Sequence, residues 1–315
     1  MSWERILEQT FLIGLFAATI RQATPILFAA LGELFTERSG VMNIGIEGNM
    51  LVGALAGFVG GYYTGTPWGG VGFALVCGVL MGLVMAVMSV SLRADQVVAG
   101  IAINIFALGV TGFFSRYLFG DLIMPPTVRA FQGIHIPGLS NLPFLGPVFF
   151  RQGILVYVAL LLVPAVWFVV YRTNFGLNVR VVGEIPEAGD SVGIRVVRTR
   201  YLCTMLGGML SALGGAVLSL GHMNMFMENM TAGRGFIALT AVIFGKWDPG
   251  RTLLATVIFG FADALQLRFQ ALGFGVPFQF LLMTPYLLTL LVLVGVVGRT
   301  DTPAALAVPY WSKGR

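Results

Sequence analysis

Long apolar runs follow one another along the chain, and they restrict its fold more than any other feature. Nine runs lie near 11–35, 41–63, 70–92, 97–119, 153–171, 200–221, 233–246, 251–270 and 278–298. A run of about 20 apolar residues matches a helix that crosses the hydrocarbon core. The runs lack the apolar–polar alternation of membrane β-barrels. The sequence therefore predicts an all-α polytopic membrane protein with about nine transmembrane helices, within a range of about eight to ten.

The composition agrees with this interpretation. Only 10% of the 315 residues are charged, against about 25% in a soluble domain. We expect a single transmembrane domain over 1–315, in which the run 233–246 is short enough to be re-entrant. The spacings of Gly53, Gly57 and Gly61, and of Gly78 and Gly82, predict close helix packing in lipid.

Two polar loops interrupt the apolar runs. The loop 120–152 is rich in Pro and Gly and is predicted to be an ordered extracytoplasmic loop. The loop 172–200 carries five arginines, which are Arg172, Arg180, Arg195, Arg198 and Arg200. Basic residues concentrate in cytoplasmic loops, so this second loop is predicted to be cytoplasmic. Five predicted spans precede it, which places the N-terminus outside the cytoplasm and the C-terminus inside.

The motifs of common enzyme sites are missing from the sequence. No G-x-x-x-x-G-K-[ST] phosphate loop, H-E-x-x-H or G-x-S-x-G occurs. His135 and His222 are isolated, and Cys77 and Cys203 fall within apolar runs, so neither pair indicates a metal site or a disulfide. The methionine-rich run 223–230 fits an adaptable apolar lining better than a soft-metal site. We therefore expect no catalytic residue, no metal and no cofactor on this chain.

The Arg-rich loop contains a predicted short helix over 184–193. Pro186 suits the first helical position, Glu187 and Asp190 favour the N-terminal half, and Gly193 fits the stop. Ile185, Ala188 and Val192 share an apolar face that nothing in the loop itself buries. Two interpretations remain: the face docks into another protein, or the segment is a solvated connection on the membrane surface.

Several motifs carry a family resemblance that covers nearly the whole chain. "GEIPEAGDSVGI" resembles the coupling-loop signature of ATP-binding-cassette (ABC) importer permeases, with Gly189 where that pattern more often has Ala. "ERSGVMNIGIEGNMLVGA" is similar to a signature of the branched-chain amino acid, sugar and nucleoside permeases. "MTAGRGFIALTAVIFGKWDP", "ADALQLRFQ" and "MTPYLLTLLVL" resemble the nucleoside, guanosine-type branch of that family.

The resemblance implies one subunit of a transport machine in a bacterial-type cytoplasmic membrane. Its expected partners are a second, paralogous permease, an ATP-binding chain with two fused nucleotide-binding domains, and a lipid-anchored extracytoplasmic binding protein. ATP hydrolysis would then occur on the partner chain. The implied fold is similar to the vitamin B12-type permease without its first span. The expected coupling residues are Gly183, Glu184, Pro186, Glu187, Ala188 and Gly193.

Polar residues inside the predicted spans are the candidates for the transport pathway or its gate. They are Asn43, Glu47, Asn104, Asp263 and Gln266. A carboxylate at membrane depth normally faces a partner or a water-filled path. The alternative for Glu47 is a buried structural network, with Arg38 or Asn104 as its partner. For Asp263 and Gln266 the alternative is a hydrogen-bonded helix contact.

The expected function is import of nucleosides, purine nucleosides in particular, by the permease subunit of an ABC importer. One alternative within the class is import of a simple sugar such as ribose. An alternative of another class is a stand-alone secondary transporter, which would follow an ion gradient and need no ATPase.

Overall fold

The computed structural model describes residues 9–120, 126–131, 133–134, 140, 142–272, 283, 287 and 302–311. Within these ranges the chain is helical, with one isolated β-bridge between Gly133 and Gly153. The helices are α1 (Gln9–Arg38), α2 (Ile46–Thr64), α3 (Pro67–Ala86), α4 (Gln96–Phe119), α5 (Leu145–Phe149), α6 (Ile154–Arg172), α7 (Asn174–Glu184), α8 (Pro186–Ser191), α9 (Val196–Ala216), α10 (Arg234–Phe244) and α11 (Pro249–Leu272). Short π-helical turns, Val87–Ser91 and Val217–His222, extend α3 and α9.

Six helices in the described residues are long and apolar enough to cross a membrane. They are Thr10–Arg38, Pro67–Ser91, Gln96–Phe119, Ile154–Arg172, Val196–His222 and Pro249–Ala271. They coincide with six of the nine predicted spans, which confirms an all-helical, multi-pass membrane protein.

The other three predicted spans have different outcomes. The run 41–63 forms α2, whose Glu47, Asn49 and glycines make it less apolar than the six, although most of the helix is buried. The run 233–246 forms only the 11-residue α10, about 16 Å long at 1.5 Å per residue. The run 278–298 lies almost wholly outside the described residues. The prediction of nine transmembrane helices is therefore confirmed only for six of them.

Helix α9 is the central element of the bundle. Its apolar stretch is 78% buried, against 28% for α4, which lies at the periphery. Gly53 of α2 and Gly78 of α3 both approach Ala212 of α9 so closely that an added methyl group would collide with it. Gly57 and Gly82 make similar approaches to the same helix. The predicted glycine faces therefore bring α2 and α3, which also pack against each other, close against α9.

The bundle has two ends that its contacts identify. Arg38 ends α1 and donates to the carbonyl of Trp247; we call this the Arg38 end. Helix α4 begins at the same end, since the side chain of Gln96 accepts from the backbone N–H of Met42 at 2.7 Å. The last turn of α4 lies at the opposite end, where Arg116 pairs with Glu228 at 2.8 Å.

The segment between Glu228 and Trp247 therefore runs from one end of the bundle to the other. Its first part is irregular, and only its second part forms α10. It crosses the bundle as half irregular chain and half helix, an arrangement that membrane proteins tolerate where the irregular backbone is enclosed by protein.

Candidate functional site

The predicted short helix of the Arg-rich loop is present at the Arg38 end. It is α8, with Pro186 in its first turn as expected. It ends at Val192, and Gly193 follows with a φ of +90°, a conformation that favours glycine. The backbone N–H of Gly193 donates to the carbonyl of Asp190 at 3.0 Å. The local sequence therefore determines both the start and the stop of this helix.

Helix α7, which leads directly into α8, packs against the end of α1. Gly183, in the last turn of α7, is buried, and an added methyl group there would collide with the carbonyl of Arg38. Gly189 of α8 is also buried, and a Cβ at that position would lie 3.2 Å from the side chain of Val181. This tight contact gives a packing reason for glycine where the family pattern more often has alanine.

The apolar face of α8 is uncovered. Ile185 is 59% exposed and Val192 is 77% exposed. Ala188 and the acidic residues Glu184 and Glu187 are exposed as well. Charged residues surround these apolar side chains, so the face does not resemble a lipid-facing surface. Exposed apolar side chains in such surroundings mark a protein interaction surface.

A hydrogen-bonded cluster joins three parts of the chain at the Arg38 end. The guanidinium of Arg38 donates to the Trp247 carbonyl at 3.0 and 3.1 Å and to the hydroxyl of Tyr171 at 3.2 Å. The indole N–H of Trp247, which is 1% exposed, donates to the carboxylate of Glu37. The ends of α1 and α6 and the turn before α11 are thereby held together.

Glu47 caps the helix that starts inside the bundle. Its two carboxylate oxygens accept hydrogen bonds from the backbone N–H groups of Gly233 at 2.8 Å and Gly235 at 2.7 Å. The first N–H groups of a helix have no partner within the helix, and a carboxylate there also complements the helix dipole. The predicted structural network around Glu47 is therefore present, but its partner is α10 rather than Arg38 or Asn104.

Asn104 holds the irregular start of α2. Its side chain accepts from the backbone N–H of Gly48 at 2.7 Å and donates to the carbonyl of Ile44 at 3.0 Å. Nearby, the backbone N–H of Asn43 donates to Glu33 at 2.9 Å. The structure brings Asn104 and Asn43, two of the predicted pathway or gate residues, to the same turn, which the side chains of Asn104 and Glu33 stabilise.

Two amide side chains in this region are buried without a hydrogen-bond partner among the described residues. They belong to Asn43 and Asn49, both 0% exposed. A buried polar group without a partner is costly, by about 1–3 kcal/mol. Such groups are found where water enters or where a change of conformation supplies the missing partner.

Asp263 lies beside a cavity with both polar and apolar walls, nearer the opposite end. Its carboxylate is 3.9 Å from the guanidinium of Arg234, and the two side chains are only 13% and 22% exposed. The adjacent cavity has a volume of about 350 Å³. Its walls include Arg21, Gln22, Leu218, Gly221, His222, Met223, Met230, Arg234 and Leu267. Gln266, one turn after Asp263, is half-buried and is not among these residues.

The isolated residues of the sequence fit this arrangement. His222, Met223 and Met230 contribute to the cavity wall, which agrees with the predicted lining role of the methionine run. Within the described ranges, no group of three His, Cys, Asp or Glu residues could hold a metal ion. Cys203 is buried as predicted, Cys77 is half-buried, and both are free thiols. His135 lies outside the described residues.

Five residues of these clusters are not predicted from the sequence: Glu33, Glu37, Tyr171, Arg234 and Trp247. Arg234 and Trp247 lie within the quoted motif "MTAGRGFIALTAVIFGKWDP", but neither was given a role. A signal was available, since an arginine and a tryptophan flank a run too short to cross a membrane. Their partners, Asp263 and Glu37, are far away in the sequence, so the pairing itself needs the fold.

Comparison with known proteins places this architecture in a family. The family model described as branched-chain amino acid transport system / permease component matches residues 15–297. The chain is 40% identical to the guanosine ABC transporter permease protein NupQ of Bacillus subtilis, over 93% of this chain and 95% of that protein. It is 36% identical to the nucleoside ABC transporter permease protein NupC of Lactococcus lactis, over 91% and 93%.

A third relative is named for a different substrate. The putative glucose ABC transporter permease protein TsgC13 of Haloferax volcanii is 40% identical, over 95% of this chain and 96% of that protein. No solved structure matches the chain significantly. The family model and the relatives each cover most of the sequence. The chain therefore belongs to the permease family of branched-chain amino acid transport systems.

Proposed function

We propose that this chain is a transmembrane permease subunit of an ABC importer that carries nucleosides, purine nucleosides in particular, into the cytoplasm. The observation that carries the proposal is the uncovered apolar face of α8, held rigidly at the Arg38 end of a membrane-spanning bundle. A channel or secondary transporter acting alone has no use for such a face. A permease driven by a separate ATPase needs one to receive its motion.

The nucleoside assignment rests on the relatives, two of which are named as nucleoside or guanosine permeases. A simple sugar is the second candidate substrate, because the putative glucose permease is as similar to this chain as the guanosine permease is. Overall identity therefore does not separate the two substrates.

Uptake measurements separate these candidates. Cells carrying the whole transporter, with and without this chain, are given labelled guanosine, adenosine, uridine, ribose and glucose. We expect nucleoside uptake that disappears without the chain and when the ATP-binding subunit is inactivated. Uptake of sugars alone would contradict nucleosides as the substrate but leave the assignment as an ABC importer permease intact. Uptake that persists without the ATPase but collapses with the proton gradient would contradict the class.

The proposed mechanism is alternating access. ATP closes the dimer of the partner ATPase domains, and α8, seated in a groove of that partner, carries the motion into α6 and α9. Gly183 transmits it because α7 touches the end of α1 there without an intervening side chain. The Arg38 end is the cytoplasmic end in this arrangement, with the N-terminus outside and the C-terminus inside.

The finer architecture belongs to the same proposal. We infer a nine-span permease of the vitamin B12 type without its first span. Helix α2 and the 228–247 segment bring the six long helices to eight spans, and the predicted run 278–298 is the ninth. A paralogous permease forms the other half of the pathway. ATP hydrolysis occurs on a separate chain with two fused nucleotide-binding domains, and an extracytoplasmic, lipid-anchored binding protein delivers the substrate.

Asp263 and Arg234 are the residues we assign to the pathway. The charged groups of Asp263 and Arg234 are 3.9 Å apart beside the cavity, where they offer donors and acceptors to a neutral nucleoside. Because a permease must release its substrate, these contacts need to be weak. We expect Asp263→Asn to change the ratio of purine to pyrimidine nucleoside uptake severalfold. Unchanged ratios, at normal levels of assembled transporter, would remove Asp263 from the pathway.

A further inference from the structure

The segment 302–311 lies across the coupling segment. The backbone N–H of Ala305 donates to the carbonyl of Gly183 at 2.8 Å. The backbone N–H of Ala304 donates to the carboxylate of Glu184 at 3.3 Å. Both acceptors lie in the last turn of α7, directly before α8. The segment is thus bonded to the two residues that position the coupling helix.

The same segment is bonded to the ends of two membrane helices. The backbone N–H of Ala307 donates to the carbonyl of Gly40, in the turn after α1, at 3.2 Å. The guanidinium of Arg200, in the first turns of α9 and 1% exposed, donates to the carbonyl of Val308 at 2.9 Å. The bond from Arg200 is charge-assisted and partly buried, so it holds the segment firmly.

Side chains complete the attachment. Tyr310 is 8% exposed and packs with Val182 and Val196 in a small apolar cluster. The guanidinium of Arg93, in the connection between α3 and α4, lies 3.9 Å from the centre of the Trp311 ring. Ordering ten residues on the surface of a protein carries a large entropy cost. These contacts show that the segment is an ordered part of the Arg38 end.

The attached segment displays two large apolar side chains. Val308 is 51% exposed and Trp311 is 65% exposed. They stand at the same end of the bundle as Ile185 and Val192, the exposed residues of the coupling segment. Arg93 and Glu184 lie among them, since Arg93 contacts the Trp311 ring and Glu184 accepts from Ala304. Both exposed pairs therefore lie at the end of the bundle that carries α8, in surroundings that mix apolar and charged groups as protein interfaces do.

We propose that 302–311 is a second docking element for the ATP-binding subunit, which contacts Val308 and Trp311 together with the apolar face of α8. The inference rests on the proposed function, because it extends the same coupling surface. Through this segment the ATPase is connected to the ends of α1 and α9 as well as to α8. The partner's motion then reaches the two most closely packed parts of the bundle through Gly40 and Arg200.

Site-directed photocrosslinking tests the inference in the assembled transporter. The photoreactive residue p-benzoylphenylalanine replaces Val308, Val192 or Tyr63 in separate variants, and the ATP-binding subunit carries an epitope tag. Tyr63 is 64% exposed at the opposite end of the bundle and is the matched control. We expect adducts with the tagged subunit from positions 308 and 192, each at least tenfold above position 63.

The outcomes distinguish this inference from the proposed function. An adduct from position 192 without one from position 308 would overturn the docking role of 302–311 and leave the coupling role of α8 intact. Failure at both positions, with the complex still assembled, would overturn both. An adduct between position 308 and a permease chain, rather than the ATPase, would overturn the choice of partner.

A substitution provides a second readout. In Val308→Glu the exposed side chain becomes charged, while the carbonyl that accepts from Arg200 is unchanged. We expect about tenfold less ATP-binding subunit to copurify with this variant. Leu142→Glu, an equally apolar and 40% exposed position far from 302–311 in the sequence, is the control. Normal copurification of the Val308→Glu variant would contradict the inference.

Discussion

At the scale of single residues, the polar groups that interrupt the apolar runs hold helix ends in place. Glu47 caps α10, Asn104 holds the start of α2, and Glu37 accepts from Trp247. Each of these groups satisfies backbone or indole N–H groups that lipid could not satisfy. In this structure Glu47 and Asn104 position backbone groups, and their role in the pathway or its gate stays a prediction.

The cap on α10 predicts a loss of stability when Glu47 is changed. Glu47→Ala removes both acceptors, and losing a helix cap costs about 1–2 kcal/mol. We expect a lower midpoint of thermal unfolding in detergent, with a smaller loss for Glu47→Gln, which keeps one oxygen. Glu187→Gln, on the exposed surface of α8, is the control and is expected to leave the midpoint unchanged. A Glu47→Ala variant as stable as the wild type would show that the cap is dispensable.

The ion pair at the opposite end predicts a dependence on pH. The hydrogen bond from Arg116 lowers the pKa of the Glu228 carboxyl, and the slight burial of that group opposes the shift. A carboxyl with a lowered pKa stabilises the folded state above its ordinary pKa. That contribution disappears as the pH falls through the lowered value.

We therefore expect Glu228→Gln to unfold at a lower temperature than the wild type at neutral pH, and at the same temperature in acid. Because both side chains are more than half exposed, the difference is expected to be small and to shrink in high salt. Thermal unfolding across a pH series checks this, and a difference that grows on acidification would contradict it.

At the scale of helices, close packing depends on glycine faces, where no side chain separates two helix backbones. Gly53→Ala places a methyl group against the backbone of Ala212, and inserting atoms into a closely packed contact costs about 1–3 kcal/mol. We expect a reduced yield of folded protein and a lower unfolding midpoint. Gly72→Ala is the control, because nothing lies within 4 Å of a Cβ at that position. Equal stability of the two variants would show that α2 and α9 can separate without cost.

The elements also show what the sequence could predict. Hydrophobic run length predicted the six long spans, and Pro186 with Gly193 predicted the short coupling helix, because these signals are local. The sequence does not explain why α10 is too short to cross a membrane, because the N–H groups at its start are capped by Glu47, almost 190 residues earlier. The role of 302–311 had no local signal at all, since it arises from contacts with Gly40, Gly183 and Arg200.

At the scale of the whole molecule, the transporter should be uncoupled by changes at one end of the bundle. Val192→Asp places a charge in the exposed apolar face of the coupling segment without disturbing a buried contact. We expect at least tenfold slower ATP-driven uptake, with the permease still present in the membrane in normal amounts. Leu142→Asp in the loop 120–152 is the control for the introduced charge. Uptake at the wild-type rate in Val192→Asp would contradict the coupling role.

The central position of α9 has a consequence for biogenesis. Helices α2 and α3 are synthesised more than a hundred residues before α9, yet their glycine faces are complementary to it. During synthesis the two helices can pack against each other, but their faces toward α9 stay in lipid, or against the insertion machinery, until α9 is made. A nascent chain that stops before α9 leaves these glycine faces uncovered. Such a fragment is expected to be a substrate for membrane quality-control proteases rather than a stable half-permease.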